Sequence, residues 1–178
     1  ALNILKKVSL IICEDTRQTM KIMNKFEFKN KLISFNKHNS LNKIPKIKED
    51  LKSGRSIALV SDAGMPLICD PGEELVKELK LNNINVISIP GPCAAITALV
   101  TSGFSTSRFI FEGFLPKNKS DRNKTLLRIS NHKDTTIFYE SPHRLKSLLK
   151  DLKNHCGGDR RLQISKELKK RFEEHIGP

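Results

Sequence analysis

The stretch S-I-A-L-V-S-D-A-G-M-P-L-I-C-D-P-G, Ser56–Gly72, decides the fold class. Its first six residues are small or apolar and suit one buried strand. The two glycines and two prolines that follow cannot sit inside a strand or a helix, so they make a stiff turn. Behind Pro71 and Gly72, Leu75, Val76 and Leu79 recur at helical spacing. The same rhythm runs upstream: Val8–Cys13 reads as a strand, Thr16–Phe26 as a helix, Lys31–Phe35 as a strand, and Ile44, Ile47 and Leu51 as one face of a helix capped by Gly54. Downstream, Val86–Ile89 reads as a fourth strand and Pro92–Ser102 as its helix. Strands separated by helices need crossover connections, so the pattern predicts an α/β fold, a parallel sheet with helices on both faces.

After Gly103 the pattern changes. Phe104–Ser107 is polar enough for a linker, and Phe109–Leu115 starts a second series: a strand, a basic helix over Lys119–Asn131, a strand over Thr135–Glu140, an amphipathic helix over His143–His155 and a strand over Leu162–Glu167. Two domains are therefore expected, 1–106 and a smaller α/β domain over 107–178. Ala1–Lys7 has helical spacing and leads into the first strand with no strand before it, and the sequence stops at Gly177 and Pro178 after a strand-like stretch. Both ends are expected to be truncated, with the first strand of the N-terminal domain missing and the C-terminal domain incomplete.

The 178 residues carry 32 Lys+Arg against 19 Asp+Glu, a net charge of +13. The excess is uneven: +7 over residues 1–53, −2 over 54–107 and +8 over 108–178. Basic flanks suit a polyanion such as RNA, and the acidic middle suits a ligand that is not a phosphate. Cys13, Cys69, Cys93 and Cys156 form no C-x-x-C pair, so no zinc site or disulfide framework is expected and the four read as buried small apolar side chains. No run approaches the roughly 18 apolar residues of a membrane span, so the chain is expected to be cytoplasmic with no membrane partner.

Three Gly/Pro-rich turns fall at the ends of expected strands, where open α/β sheets bind ligands: Ser61–Gly72, Pro90–Ala95 and Tyr139–Arg144. Neither G-x-G-x-x-G nor G-x-x-x-x-G-K-[ST] occurs, which speaks against a dinucleotide or a nucleoside triphosphate. A cationic ligand anchored by its own carboxylate, such as a sulfonium cofactor, fits the acidic middle better.

C-E-D-T-R (Cys13–Arg17), S-D-A-G-M-P-L-I-C-D-P-G, P-G-P-C-A-A-I-T-A-L-V-T-S-G (Pro90–Gly103), R-F-I-F-E-G-F-L-P (Arg108–Pro116) and F-Y-E-S-P-H-R (Phe138–Arg144) together resemble the ribosomal RNA small-subunit methyltransferase I family of the tetrapyrrole methylase superfamily. The resemblance implies a two-domain tetrapyrrole-methylase fold and transfer of a methyl group from S-adenosyl-L-methionine to the ribose 2′-hydroxyl of a decoding-centre cytidine. The implied partners are 16S rRNA or the 30S subunit and a second copy of the chain. It places the cofactor between the domains, against Asp62, Ala63, Gly64, Met65 and Pro66, against Pro90, Gly91, Pro92, Ala94 and Ala95, and against Tyr139 and Pro142. Met65 stands where the family has Thr, Cys69 where Ser is common and Lys169 where Thr is expected, and the P-I-G-N type loop that opens the family has no counterpart.

Methyl transfer to a hydroxyl needs alignment and an acceptor for the proton, and no metal. Among Glu14, Asp15 and Glu140, Asp15 and Glu140 are taken as catalytic, with capping of the following helix as the competing role for Asp15. Arg17, His38, His143 and Arg144 are taken as substrate-binding, Arg17 having a neighbouring carboxylate as its plainer partner. Lys117, Lys119, Arg122, Lys124 and Arg128 form a basic approach and helix that suit RNA or open solvent. Two alternatives stay open: a non-catalytic RNA-binding or ribosome-assembly module, and a methyltransferase of the same fold acting on a tetrapyrrole.

Overall fold

The computed structural model describes residues 1–177, which form two compact units, one over Ala1–Pro92 and one that begins at Cys93. In the first, helix α1 (Leu2–Lys7) leads into β1 (Leu10–Cys13), followed by α2 (Thr16–Lys25), β2 (Leu32–Ser34), α3 (Ser40–Lys52), β3 (Ile57–Val60) and α4 (Glu73–Leu81). The strands pair in parallel in the order β2-β1-β3, with Ile12 opposite Ile33 on one side and Leu59 on the other. Side chains alternate across β1. Leu10 and Ile12 enter a core with Phe35, with Ile44 and Ile47 of α3 and with Leu75 and Leu79 of α4. On β1 the alternate residues Ile11 and Cys13 are also fully buried, and α2 contributes buried Thr19 and Met23, with Thr19 hydrogen-bonded to the Cys13 thiol. A central strand buried on both faces is what the unbroken apolar run L-I-I-C encodes.

Gly72 starts α4 at φ +135°, and a Cβ there would fall 2.8 Å from Leu59 Cδ2 and 2.9 Å from Leu67 Cδ1. Only glycine lets this helix begin so close to β3.

The second unit comprises α5 (Ala94–Val100), β4 (Phe109–Phe114), α6 (Lys119–Ser130), β5 (Thr135–Tyr139), α7 (Pro142–Cys156) and a hairpin of β6 (Ile164–Lys166) and β7 (Glu174–Ile176). β4 and β5 run parallel, with a register shift between Phe111 and Gly113. Asn118 caps α6 by accepting the Ser120 and Asp121 N–H groups. Leu115, Leu126, Ile129 and Leu148 form the core of this unit, with Phe138 and Leu152 packed against it.

Two expectations need correcting. Val86–Ile89 forms no ladder. Ile84 and Val86 turn onto the core while Ile87 is 74% exposed, so the alternation of a half-buried strand is present without the pairing. Periodicity reports which side is buried and says nothing about hydrogen-bond partners. In sequence the second compact unit begins at Cys93, and α5 packs on β5 within it. Of the four free cysteines only Cys13 is buried, and the other three are partly exposed. Among the described residues no helix is long and apolar enough to cross a membrane, and no group of His, Cys, Asp or Glu side chains could hold a metal ion.

Candidate active site

In the first unit the turns that follow β1 and β3 meet at the C-terminal edge of the sheet. The Asp15 backbone N–H donates to Asp62 Oδ1 at 3.3 Å, which ties one turn to the other. Beyond β3, Ser61 Oγ donates to the Gly64 carbonyl at 3.0 Å and closes a tight loop in which Gly64 has φ +80°. Leu67 and Cys69 in the same loop adopt left-handed backbone, at φ +72° and +65°. Side chains other than glycine rarely accept that conformation, and the strain it stores is typical of ligand-binding turns.

The two glycine turns named from the sequence lie against each other. A Cβ on Gly64 would come within 3.2 Å of the Pro92 carbonyl oxygen, and one on Gly91 within 3.2 Å of Met65 Sδ. Asp62, Ala63, Gly64, Met65 and Pro66 are therefore brought together with Pro90, Gly91 and Pro92, and Met65 occupies space that a larger residue at 91 would claim.

The charges at this edge are mostly negative. Burial raises the Glu14 carboxyl above its ordinary value, and the nearby Asp70 and Asp62 charges raise it further. Asp70 is also raised by burial, against a hydrogen bond from Ser61 and the charge of Lys37. Asp15 goes the other way: its carboxylate accepts from Arg17 Nη2 at 2.7 Å, from Arg17 Nε and from the Arg17 N–H, and its pKa falls to about 2. It is the cap of α2 and a partner of Arg17. A carboxylate held so firmly in its charged form is a weak proton acceptor, while Glu14 beside it has the higher proton affinity. Arg17 thus takes its plainer role, paired with a neighbour. His38 is exposed in the turn after β2, where its N–H is held by Asn36 Oδ1 at 3.0 Å.

In the second unit, the Ala95 N–H at the start of α5 donates to Tyr139 Oη at 3.2 Å, so Ala94, Ala95 and Tyr139 are neighbours. The Tyr139 ring stands edge-on to Phe111 and Phe114, with centroids 5.1 and 5.6 Å away. Pro142 opens α7.

Glu140 is engaged by partners within its own unit. Its side chain is 4% exposed, Oε1 accepts the Ser141 N–H at 2.9 Å, and Oε2 lies 3.4 Å from Arg144 Nη2 and 3.7 Å from Arg122 Nη1. Arg122 also binds Asp151 through Nε at 2.8 Å, and Arg144 donates to the Leu115 carbonyl. Arg144 and Arg122 thus make ties within the unit, and Arg128 is clamped on Glu112 by two bonds of 2.7 Å. Of the residues taken as substrate-binding in this unit, only His143 stays exposed and uncommitted. The partners of Arg122 and Arg128 lie 16 to 29 residues away, beyond any local pattern. Asp70, by contrast, sits inside the D-P-G turn that the sequence already marks.

A profile of the tetrapyrrole (corrin/porphyrin) methylases matches residues 1–176. The ribosomal RNA small subunit methyltransferase I of Halalkalibacterium halodurans is 48% identical over 176 residues, covering 99% of this chain and 61% of that protein. The protein of the same name from Thermotoga maritima is 45% identical over 174 residues, covering 98% and 78%. Thus the chain spans about six tenths of the length of most of the relatives it matches. Among solved structures, a cobalt precorrin-4 methyltransferase of cobalamin biosynthesis superposes with a TM-score of 0.68 at 14% identity, covering 99% of this chain and 76% of that one. A shared fold at that identity agrees with the parallel α/β layout described above. The chain belongs to the tetrapyrrole methylase family, in the branch whose members carry the name ribosomal RNA small subunit methyltransferase I.

Proposed function

We propose that the chain transfers a methyl group from S-adenosyl-L-methionine to a ribose 2′-hydroxyl of a cytidine in 16S rRNA, within the 30S subunit, and that it works as a homodimer. The observation that carries this reading is the meeting of the Gly64 and Gly91 turns at an acidic sheet edge. Backbone without bulk admits a ligand closely, and the surplus of carboxylates there favours a cation. When bound, the sulfonium supplies an activated methyl group. Alignment of the acceptor oxygen behind that methyl falls to the strained turn over Asp62–Pro66 and to Pro90–Pro92. Glu14, with its raised proton affinity, is the better-suited acceptor for the hydroxyl proton, and Asp15 and Arg17 hold the turn beside it. Ala94, Ala95, Tyr139 and Pro142 stay assigned to the cofactor on their motif.

The RNA substrate is favoured over a tetrapyrrole by relatives at 40–48% identity that are named for ribosomal RNA, against 14% for the cobalamin enzyme. The basic flanks agree with it. The test is transfer of tritiated methyl to isolated 30S particles, with the product mapped for 2′-O-methylation. Label on a cytidine 2′-oxygen is expected; binding to rRNA with no transfer would favour the assembly-module alternative.

A further inference from the structure

The positive charge of the second unit is sorted. Most of its arginines and several lysines face an acid: Arg108 with Asp134, Arg122 with Asp151, Lys124 with Asp121, Arg128 with Glu112, Arg144 with Glu140 and Lys170 with Glu167. Others, Lys117, Lys119 and Lys133 among them, have no acid partner among the described residues, but in this unit α7 is the helix that lines up three such cations on one face. Lys146, Lys150 and Lys153 are exposed and have no ion-pair partner among the described residues. At 3.6 residues per turn these three fall within about 60° of arc and span roughly 10 Å of helix. His143, Ser147 and Asn154 are also exposed and carry no negative charge. The one acid of α7, Asp151, reaches Arg122 instead, and Leu148 and Leu152 pack into the core.

On α3 and α4 two exposed lysines are balanced at close spacing, Lys46 by Glu49 and Asp50 and Lys77 by Glu74. Like charges three and four residues apart repel, so the α7 stripe opposes its own helix unless a polyanion lies along it. Its three charges also follow one another at intervals comparable to those of a phosphate backbone, whereas a compact anion would need them converging on a point.

We infer that the exposed face of α7, carried by Lys146, Lys150 and Lys153, is the surface that holds the RNA phosphate backbone, in place of the α6 arginines that internal carboxylates occupy. The inference rests on the rRNA reading and adds the surface to it. Phosphate contacts set affinity and its salt dependence and carry no sequence information, so this face positions RNA without selecting the nucleotide.

The test measures binding of a 16S rRNA fragment to the full chain across a salt series. The variants are Lys146→Gln/Lys150→Gln/Lys153→Gln and, as a control of equal charge loss, Lys46→Gln/Lys48→Gln/Lys77→Gln, whose lysines all face acids. Losing three phosphate contacts should reduce the slope of log K against log salt by about 2 to 3 and weaken binding about a hundredfold at 0.1 M salt. The control should change both much less, and circular dichroism should show all three proteins folded. Equal losses in the two variants, or an unchanged slope in the α7 variant, would overturn the assignment. So would loss of binding to phosphatidylglycerol vesicles while RNA binding persists. Slope loss in the α7 variant of a chain that transfers no methyl to 30S particles would leave the surface standing and remove the methyltransferase reading.

Discussion

Glu14 and Asp15 are adjacent in sequence, yet their surroundings push the two carboxyls in opposite directions. Arg17 stabilises the charge on Asp15, so its contribution to stability is complete above the ordinary carboxyl value of 3.8 and is lost as pH falls towards about 2. Asp15→Asn should flatten the acid limb of a stability-against-pH curve across that window, as read by urea denaturation at a series of pH values. Glu14 behaves conversely. Its folded pKa is raised above 4.5, so the folded state prefers the protonated form, and the favourable contribution present at low pH disappears as pH rises through the folded value. Glu14→Gln is therefore expected to melt at the same temperature or higher at pH 7 while methyl transfer to 30S particles falls at least tenfold. A variant that loses stability and keeps its activity would contradict both halves of this assignment. The sequence names all three acids, but only packing separates them: Asp70 and Asp62 beside Glu14, and Arg122 and Arg144 around Glu140, become neighbours through the fold.

The elements show which kinds of signal sequence carries. β1 is legible because a central parallel strand buried on two faces writes an unbroken apolar run, β2 and β3 because short apolar stretches survive on half-buried outer strands, and α2, α3 and α4 because their stripes repeat at 3.6 residues. Val86–Ile89 writes the same kind of signal and forms no ladder, since pairing depends on what lies alongside. The turns were legible for another reason: glycine marks positive φ and close approach. At Gly64 both apply, so Gly64→Ala should lower stability by about 1–2 kcal/mol for the left-handed residue alone, with a further effect on cofactor affinity from crowding the Pro92 carbonyl. Gly72→Ala, where a Cβ would overlap Leu59 and Leu67, should cost about 1–3 kcal/mol and leave any remaining cofactor affinity unchanged once the protein is folded. Thermal melts with isothermal titration of S-adenosylmethionine separate the two effects. In the second unit, Arg122→Ala leaves Glu140 and Asp151 short of a cation in a buried setting and should destabilise by about 3–5 kcal/mol, as measured by chemical denaturation.

Charge behaves differently when the whole chain is considered. Counting residues gives two basic flanks and an acidic middle, which points towards a polyanion and a cationic ligand. What the count misses is how many cations are already satisfied. Internal carboxylates neutralise Arg122, Arg128 and Arg144, while the lysines of α7 remain open to solvent. The acidic middle survives folding as a physical feature, because Asp62 and Asp70 converge with Glu14 at the same end of the sheet as the glycine turns. Family membership, fold and the main turns were thus readable from motifs in order, whereas the division of labour among charged side chains required the packed structure.

The claim on which the rest depends is that the turns at Gly64 and Gly91 together receive S-adenosylmethionine. Titrating that compound into the ¹⁵N-labelled chain and following backbone amide shifts tests it directly. Saturable, concerted shifts at Asp62–Met65 and at Gly91 are expected; shifts confined to one turn, or to neither, would contradict it.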